Sequence, residues 1–287
     1  MNILSFQSAV SYGHVGNSVA VFALQRLGHE VWPVDTVRFS NHPGHGGFRG
    51  TVTSPAALAD LLEGLAERGF LGNADALLSG YLGDAEQGPI LAAAAARIRK
   101  ANPQALWALD PVIGDHGRIF VKDGIPQFMR DTAVPAADLL LPNAFELGYL
   151  TGLLCRTLPE TIAAARWLRG TASGRVVVAT GLALADRPQR TLTTVALGGA
   201  GAWAVTTPAI EHPANGAGDL FAALFLGRYL MQRDIAAALT LATSSVHAIV
   251  ARSAAAGARE LQIIAAQDEL IAPQRLFEPD PAPQAGL

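Results

Sequence analysis

The chain has 287 residues, half of them hydrophobic and 16% charged, with a formal net charge of -3 and a single cysteine. That length and composition fit one large α/β domain with a substantial core, and the charge gives no electrostatic ground for a nucleic-acid partner. Cys155 alone rules out an internal disulfide, and its neighbours Leu153 and Leu154 mark it as a small core residue rather than a reactive thiol.

Short apolar runs alternate with helical patterns, the sequence form of a mostly parallel sheet with helices on both faces. Strands are predicted at 3–6, 31–35, 76–79, 106–109, 138–141 and 176–179, and helices at 18–27, 55–68, 87–100, 145–151 and 158–168. A hairpin follows at 191–197 and 202–206 around Gly198-Gly199-Ala200-Gly201, then helices from near Gly218 and from Ile235. No linker divides the chain, so one domain is expected over 1–287, with the proline-rich stretch 278–287 as an extended end. The residues from Met1 to Phe6 lack the pattern of a signal peptide, and no stretch of membrane-spanning length is free of polar residues. The expectation is a soluble, cytoplasmic protein with no membrane partner.

In a sheet of this kind ligands gather beyond the carboxyl ends of the strands, and several of those ends are polar or glycine-rich here. Gln7, Ser8, Ser11, Tyr12, Gly13, His14, Val15, Gly16 and Asn17 follow the first strand, leading to a helix that Asn17 or Ser18 would cap. After the second strand, residues 36–53 are rich in glycine and histidine and read as a mobile flap over a substrate. His42 and His45 lack a third ligand at fixed spacing, which weighs against a metal there. After the third strand Tyr81, in Ser79-Gly80-Tyr81-Leu82-Gly83-Asp84, either lies beside a flat ligand or closes the core. The two acids of Asp110-Pro111-Val112-Ile113-Gly114-Asp115 suit magnesium and phosphate, because that cation takes oxygen ligands and keeps waters; alternatively they are solvated turn residues. Pro142-Asn143-Ala144-Phe145-Glu146 has the spacing of a capping box, which accounts for Asn143 better than for Glu146. Thr180 and Gly181 end the sixth strand with a hydroxyl and a free backbone for a nucleotide phosphate. Asn215-Gly216-Ala217-Gly218-Asp219 then opens an apolar helix. Its glycines and the helix N-terminus suit an anion, and Asp219 is placed to take a proton from a hydroxyl. Taken alone, the same stretch is equally a glycine turn with an N-capping aspartate.

Jointly, and in this order, these stretches resemble the pyridoxal kinases of the ribokinase-like superfamily. Gly216-Ala217-Gly218-Asp219 marks the superfamily, whereas Phe39-Ser40-Asn41-His42 and Gly80-Tyr81 are similar to vitamin-binding elements. The resemblance implies a three-layer ribokinase-like fold and ATP-dependent phosphorylation of the 5′-hydroxymethyl group of pyridoxal. By the same resemblance Asp219 is the base and Gly216, Ala217 and Gly218 form the anion hole. Ser8 and Tyr81 hold the pyridine ring, and Val15, Phe39 and His42 line its pocket. Asp110, Asn143 and Glu146 lie around magnesium and phosphates, Asp110 and Glu146 meeting the metal directly or through water, with Thr180 and Gly181 at the nucleotide. A monovalent cation and a homodimer are further family expectations. Three departures stand out: Pro43 implies one pocket hydrogen bond fewer, Leu141 removes a phosphate contact, and glycines at 44, 46 and 47 imply looser closure. Two other readings stay open: a kinase for a related heterocycle such as hydroxymethylpyrimidine, and a non-catalytic vitamin- or nucleotide-binding relative. Asp219 with both glycines disfavours the second.

Overall fold

The computed structural model describes residues 1–172, 174–199, 201–213 and 215–282. The strands are β1 (Asn2–Tyr12), β2 (Glu30–Asn41), β3 (Gly50–Val52), β4 (Ala76–Ser79), β5 (Leu106–Leu109), β6 (Gly114–Asp115), β7 (Arg118–Ile119), β8 (Leu139–Leu140), β9 (Val176–Leu182), β10 (Thr191–Gly198), β11 (Gly201–Pro208) and β12 (Asp280–Pro281). The helices are α1 (Asn17–Arg26), α2 (Pro55–Glu67), α3 (Gln87–Ala101), α4 (Ile125–Phe128), α5 (Val134–Ala136), α6 (Ala144–Thr151), α7 (Leu158–Arg169), α8 (Ala217–Gln232), α9 (Ile235–Ala255) and α10 (Gln267–Ile271).

Ten strands form one sheet in the order β12-β11-β10-β9-β8-β5-β4-β1-β2-β3, parallel from β9 to β2, with antiparallel strands at both edges. The central strands are apolar on both faces because successive side chains point to opposite sides. On β5, Trp107 and Leu109 enter one core while Ala108 enters the other; on β9, Val177 and Ala179 oppose Val176 and Val178. The first core is covered by α2 to α7 and the second by α1, α8, α9 and α10, which gives the three-layer α/β fold. By length and composition α9 could cross a membrane, but more than half of its most apolar window is buried, and it packs on α8 and β10 as a core helix.

The expected strands and helices are present, and two strands are much longer than their apolar runs. β1 continues to Tyr12 and β2 to Asn41 because the two pair beyond the end of β4, Val10 opposite Phe39 and Tyr12 opposite Asn41. Most of the expected polar loop and the first third of the flap are therefore strand, and Thr36 and Val37 are fully buried rather than mobile. β3 returns antiparallel to β2, so the flap is a hairpin whose tip holds a short turn at Pro43–His45. Neither Asn17 nor Ser18 caps α1. Asn17 is buried and donates to the Asp35 carboxylate at 2.8 Å, while Ser18 exchanges two hydrogen bonds with the backbone of Val10. Asp280 and Pro281 of the proline-rich end pair with β11, and 283–287 lie outside the described residues. Cys155 is half-buried against the first core, where burial raises its thiol to about 11, although Leu153 and Leu154 are exposed.

Candidate active site

β1 and β4 lie side by side, and the chain runs on from β1 to β2 in one direction and from β4 to β5 in the other, so a crevice opens at the carboxyl ends of the strands. Three adjoining cavities fill it. The first, about 370 Å³, is walled by Ser8, Val10, Val15, Val37, Phe39 and Tyr81, with His42 and Pro43 of the flap over it. Phe39 is braced by Phe48 across the hairpin, their ring centroids 4.4 Å apart. The Tyr81 phenol is pushed up by burial and stays neutral, so this cavity meets a ligand with apolar walls and hydroxyls.

The second cavity, about 290 Å³, shares His42, Phe120, Gly216 and Asp219 with the first. It adds Asp110, Asp115, Asn143, Glu146, Thr180 and Gly218, so among the described residues its lining holds four acidic side chains and no lysine or arginine. The third, about 410 Å³, shares Asp115, Asn143, Thr180, Gly218 and Phe221 with the second and runs on between β10, β11 and α9 past Gly181, Thr194, Thr207, His212 and His247. Asp219 therefore stands at the junction of an apolar pocket and an acidic one.

Asp219 does not cap its own helix. Gly216 occupies the cap position of α8 without a side-chain hydrogen bond, leaving the first N–H groups of the helix without partners inside it. With φ at 85° Gly216 is left-handed, and a Cβ there would collide with the His14 carbonyl oxygen, so only glycine fits this turn. The carboxylate instead accepts a hydrogen bond from Gly16 N–H at 2.9 Å. Surrounding protein raises its carboxyl to about 6, the Gly16 bond opposing that rise.

Burial, aided by the charges of Glu146 and Asp219, raises Asp110 well above the carboxylate range. Glu146 also rises through burial, against the pull of three backbone donors. Both of its oxygens are engaged: one accepts from Ile113 N–H at 2.9 Å and from Gly114 N–H, the other from Asn143 N–H at 2.9 Å. Asn143 completes the capping box by accepting from Glu146 N–H and donates its amide to Gly114. Capping and cavity-lining are thus one arrangement, in which Glu146 anchors the turn carrying Asp110 and Asp115. Thr180 bridges Asn143, joining β9 to the start of α6.

Each residue to which the resemblance gives a site role lines one of the three cavities, Ala217 and Gly181 only the third, whereas Gln7, Ser11, Tyr12, His14, Asn17, Ser40, Asn41 and Gly80 line none of them. Sequence reasoning missed Phe120, 57% exposed and standing between the first two cavities, together with the hairpin threonines and the two histidines of the third. The signal for Phe120 was its place just past the glycine turns of the Asp115 loop. Leu141 does present an apolar wall to the acidic cavity. The glycine-rich flap is not left loose, because Arg259 donates to Gly44 O and His45 pairs with Glu260.

A family model described as phosphomethylpyrimidine kinase matches residues 73–263. Among similar proteins are pyridoxal kinase PdxY of Rubrobacter xylanophilus, 51% identical over 279 residues covering 96% of each chain, and that of Deinococcus radiodurans, 46% identical over 96% of this chain and 95% of its own. The pyridoxal kinase from Leishmania donovani, solved with ADP and ginkgotoxin, superposes with a TM-score of 0.90 at 29% identity, over 98% of this chain and 99% of that one. On this shared length and fold, the chain belongs to the pyridoxal kinase family.

Proposed function

We infer that the protein transfers the γ-phosphoryl group of ATP to the 5′-hydroxymethyl group of pyridoxal, releasing pyridoxal 5′-phosphate and ADP. The observation that carries this reading is Asp219 at the junction of an apolar cavity sized for a small ring and an acidic cavity at a helix N-terminus. The acceptor ring lies against Val15, Phe39 and Tyr81, with Ser8 and His42 as its polar contacts. Its hydroxymethyl group faces Asp219, and the nucleoside occupies the third cavity with its phosphates over Thr180, Gly181 and Asn143.

Phosphoryl transfer is mostly positioning and charge stabilisation. A carboxyl near 6 is ionised at pH 7 yet more basic than an ordinary aspartate, which suits a group that takes the hydroxyl proton as the new P–O bond forms. Gly16 N–H fixes which oxygen of Asp219 stays free. The N–H groups at Gly216, Ala217 and Gly218 face the charge that moves from the γ-phosphoryl group to the departing ADP.

A polyphosphate entering a cavity of four carboxylates requires cations, and hard oxygen donors fit magnesium. Among the described residues no three His, Cys, Asp or Glu side chains cluster as a metal cage; a magnesium ion here would take waters and phosphate oxygens as its remaining ligands. Asp110 and Asp115 would hold it, and Glu146, with its oxygens already engaged, would reach it through water. When bound, the metal neutralises phosphate charge. A monovalent cation, a homodimer and a cytoplasmic setting complete the reading on family grounds, and a light-scattering mass twice that of one chain tests the dimer.

The deciding experiment measures ADP formation with pyridoxal, pyridoxamine, pyridoxine and hydroxymethylpyrimidine, with and without magnesium. Magnesium-dependent formation of pyridoxal 5′-phosphate, with kcat/KM highest on a pyridoxal vitamer, is expected; no such product would sink the assignment. The near-full-length pyridoxal kinase relatives favour pyridoxal over the pyrimidine.

A further inference from the structure

We propose that Glu260 is a positioning residue for this transfer, a buried latch joining the flap that closes the acceptor cavity to the loop that holds the base. The proposal rests on the function above for its kinetic consequences, while the latch itself rests on geometry. Glu260 lines none of the three cavities, yet its side chain is almost fully enclosed and both carboxylate oxygens are engaged. One accepts from His14 N–H at 3.0 Å, and the other meets His45 Nε2 at the flap turn. Next to it Arg259 donates to Gly44 O, and the Tyr12 ring packs edge-on against His45 with centroids 5.8 Å apart. Gly13 makes the approach possible: its φ is 106°, and a Cβ there would strike the Glu260 carboxylate.

Each end of the latch leads to the chemistry. His45 closes the short turn begun by His42 and Pro43, which lie over the acceptor cavity. On the other side His14 sits against Gly216 of the anion hole, and two residues further Gly16 N–H holds Asp219. A displaced Glu260 frees the flap and loosens the loop that sets both the anion hole and the base. Buried hydrogen bonds to a charged group are costly to lose, so the coupling is strong enough to register in rate.

The test compares wild type, Glu260→Ala, Glu260→Gln and His45→Ala. Amide hydrogen exchange needs no substrate, and faster exchange at 13–16 and 42–47 in Glu260→Ala is expected; unchanged exchange there overturns the latch whatever the enzyme phosphorylates. In turnover, Glu260→Ala should raise the KM for pyridoxal and lower kcat, each about tenfold, with the KM for ATP within about twofold. Glu260→Gln keeps an oxygen for His14 N–H and should recover most of the loss. His45→Ala cuts only the flap end, so its KM for pyridoxal rises while kcat holds. Equal damage to both KM values, no rescue by glutamine, or no change at all would each overturn the proposal. Should Glu260→Ala not fold, His45→Ala decides by the same KM criterion. Absence of pyridoxal turnover in wild type counts against the function alone, since the exchange result stands apart from it.

Discussion

The acceptor cavity and the transfer centre meet at Asp219, but they are built on opposite principles. The first is set by shape: two strands overrun the sheet and turn Val10, Val37 and Phe39 inward, and its hydroxyl groups are neutral. The second is set by charge: four carboxylates and the start of a helix share a small space, and burial drives Asp110, Glu146 and Asp219 away from easy ionisation. Apolar walls choose the acceptor, whereas unfavourably placed charge is held ready for a substrate that brings phosphate and metal. Substitutions should therefore separate by kinetic parameter according to the side of Asp219 they touch.

The largest effect belongs to the junction itself. Asp219→Asn keeps an oxygen for Gly16 N–H and the volume of the side chain but cannot take a proton. Pyridoxal binding, read by calorimetry, should be retained while kcat falls by roughly 10²- to 10⁴-fold. An unchanged rate would remove Asp219 from its role and with it the contrast between the two cavities.

On the shape-determined side, Phe39→Ala removes a wall of the first cavity and the partner of Phe48. The KM for pyridoxal should rise about 10- to 100-fold with the KM for ATP nearly constant, as expected for losing apolar contact in a small pocket. Steady-state titration of each substrate at saturating levels of the other makes the distinction. A matching rise in both KM values would show that the cavities do not act separately.

How far this was legible in the sequence divides the same way. The charge-determined centre announced itself, because phosphate and metal chemistry needs glycines and acids at strand ends, and Asp110, Asn143, Glu146 and Gly216 to Asp219 stand in compact runs. The acceptor cavity was half visible: Phe39, His42 and Tyr81 carried the family resemblance, but the polar stretches at 7–12 and 36–41 hid their strands. Those residues pair with one another and, at 37–39, with the short β3, and they border a cleft beyond the end of β4, so the apolar signal of a buried strand is missing. Contacts such as Gly16 with Asp219 or His45 with Glu260 join segments more than 200 residues apart, and no local pattern encodes them.

A smaller effect is the pH dependence of the wild type. Asp219 works as the carboxylate, so kcat/KM should fall about tenfold per unit as pH drops below about 6 and level off above it. A profile flat down to pH 5 would place the base elsewhere.

The smallest effect is on stability, and it follows from the same carboxyl with a fixed sign. Folding raises Asp219 from an ordinary value near 3.8 to about 6, so the folded protein holds this proton more tightly than the unfolded chain does. Its favourable contribution is complete below the unfolded value and is lost as pH rises through about 6, after which the ionised group burdens the fold. Asp219→Asn removes that burden. The variant should gain about 1–2 kcal/mol over wild type at pH 8, less than the full shift because Asp219 is partly open to the cleft, and nothing at pH 3.5. Calorimetric melting at the two pH values should thus show a Tm rise of several degrees at pH 8 only. A gain at both would trace the stabilisation to packing rather than charge, and would leave the acidic centre with no stored electrostatic cost for bound phosphate and metal to relieve.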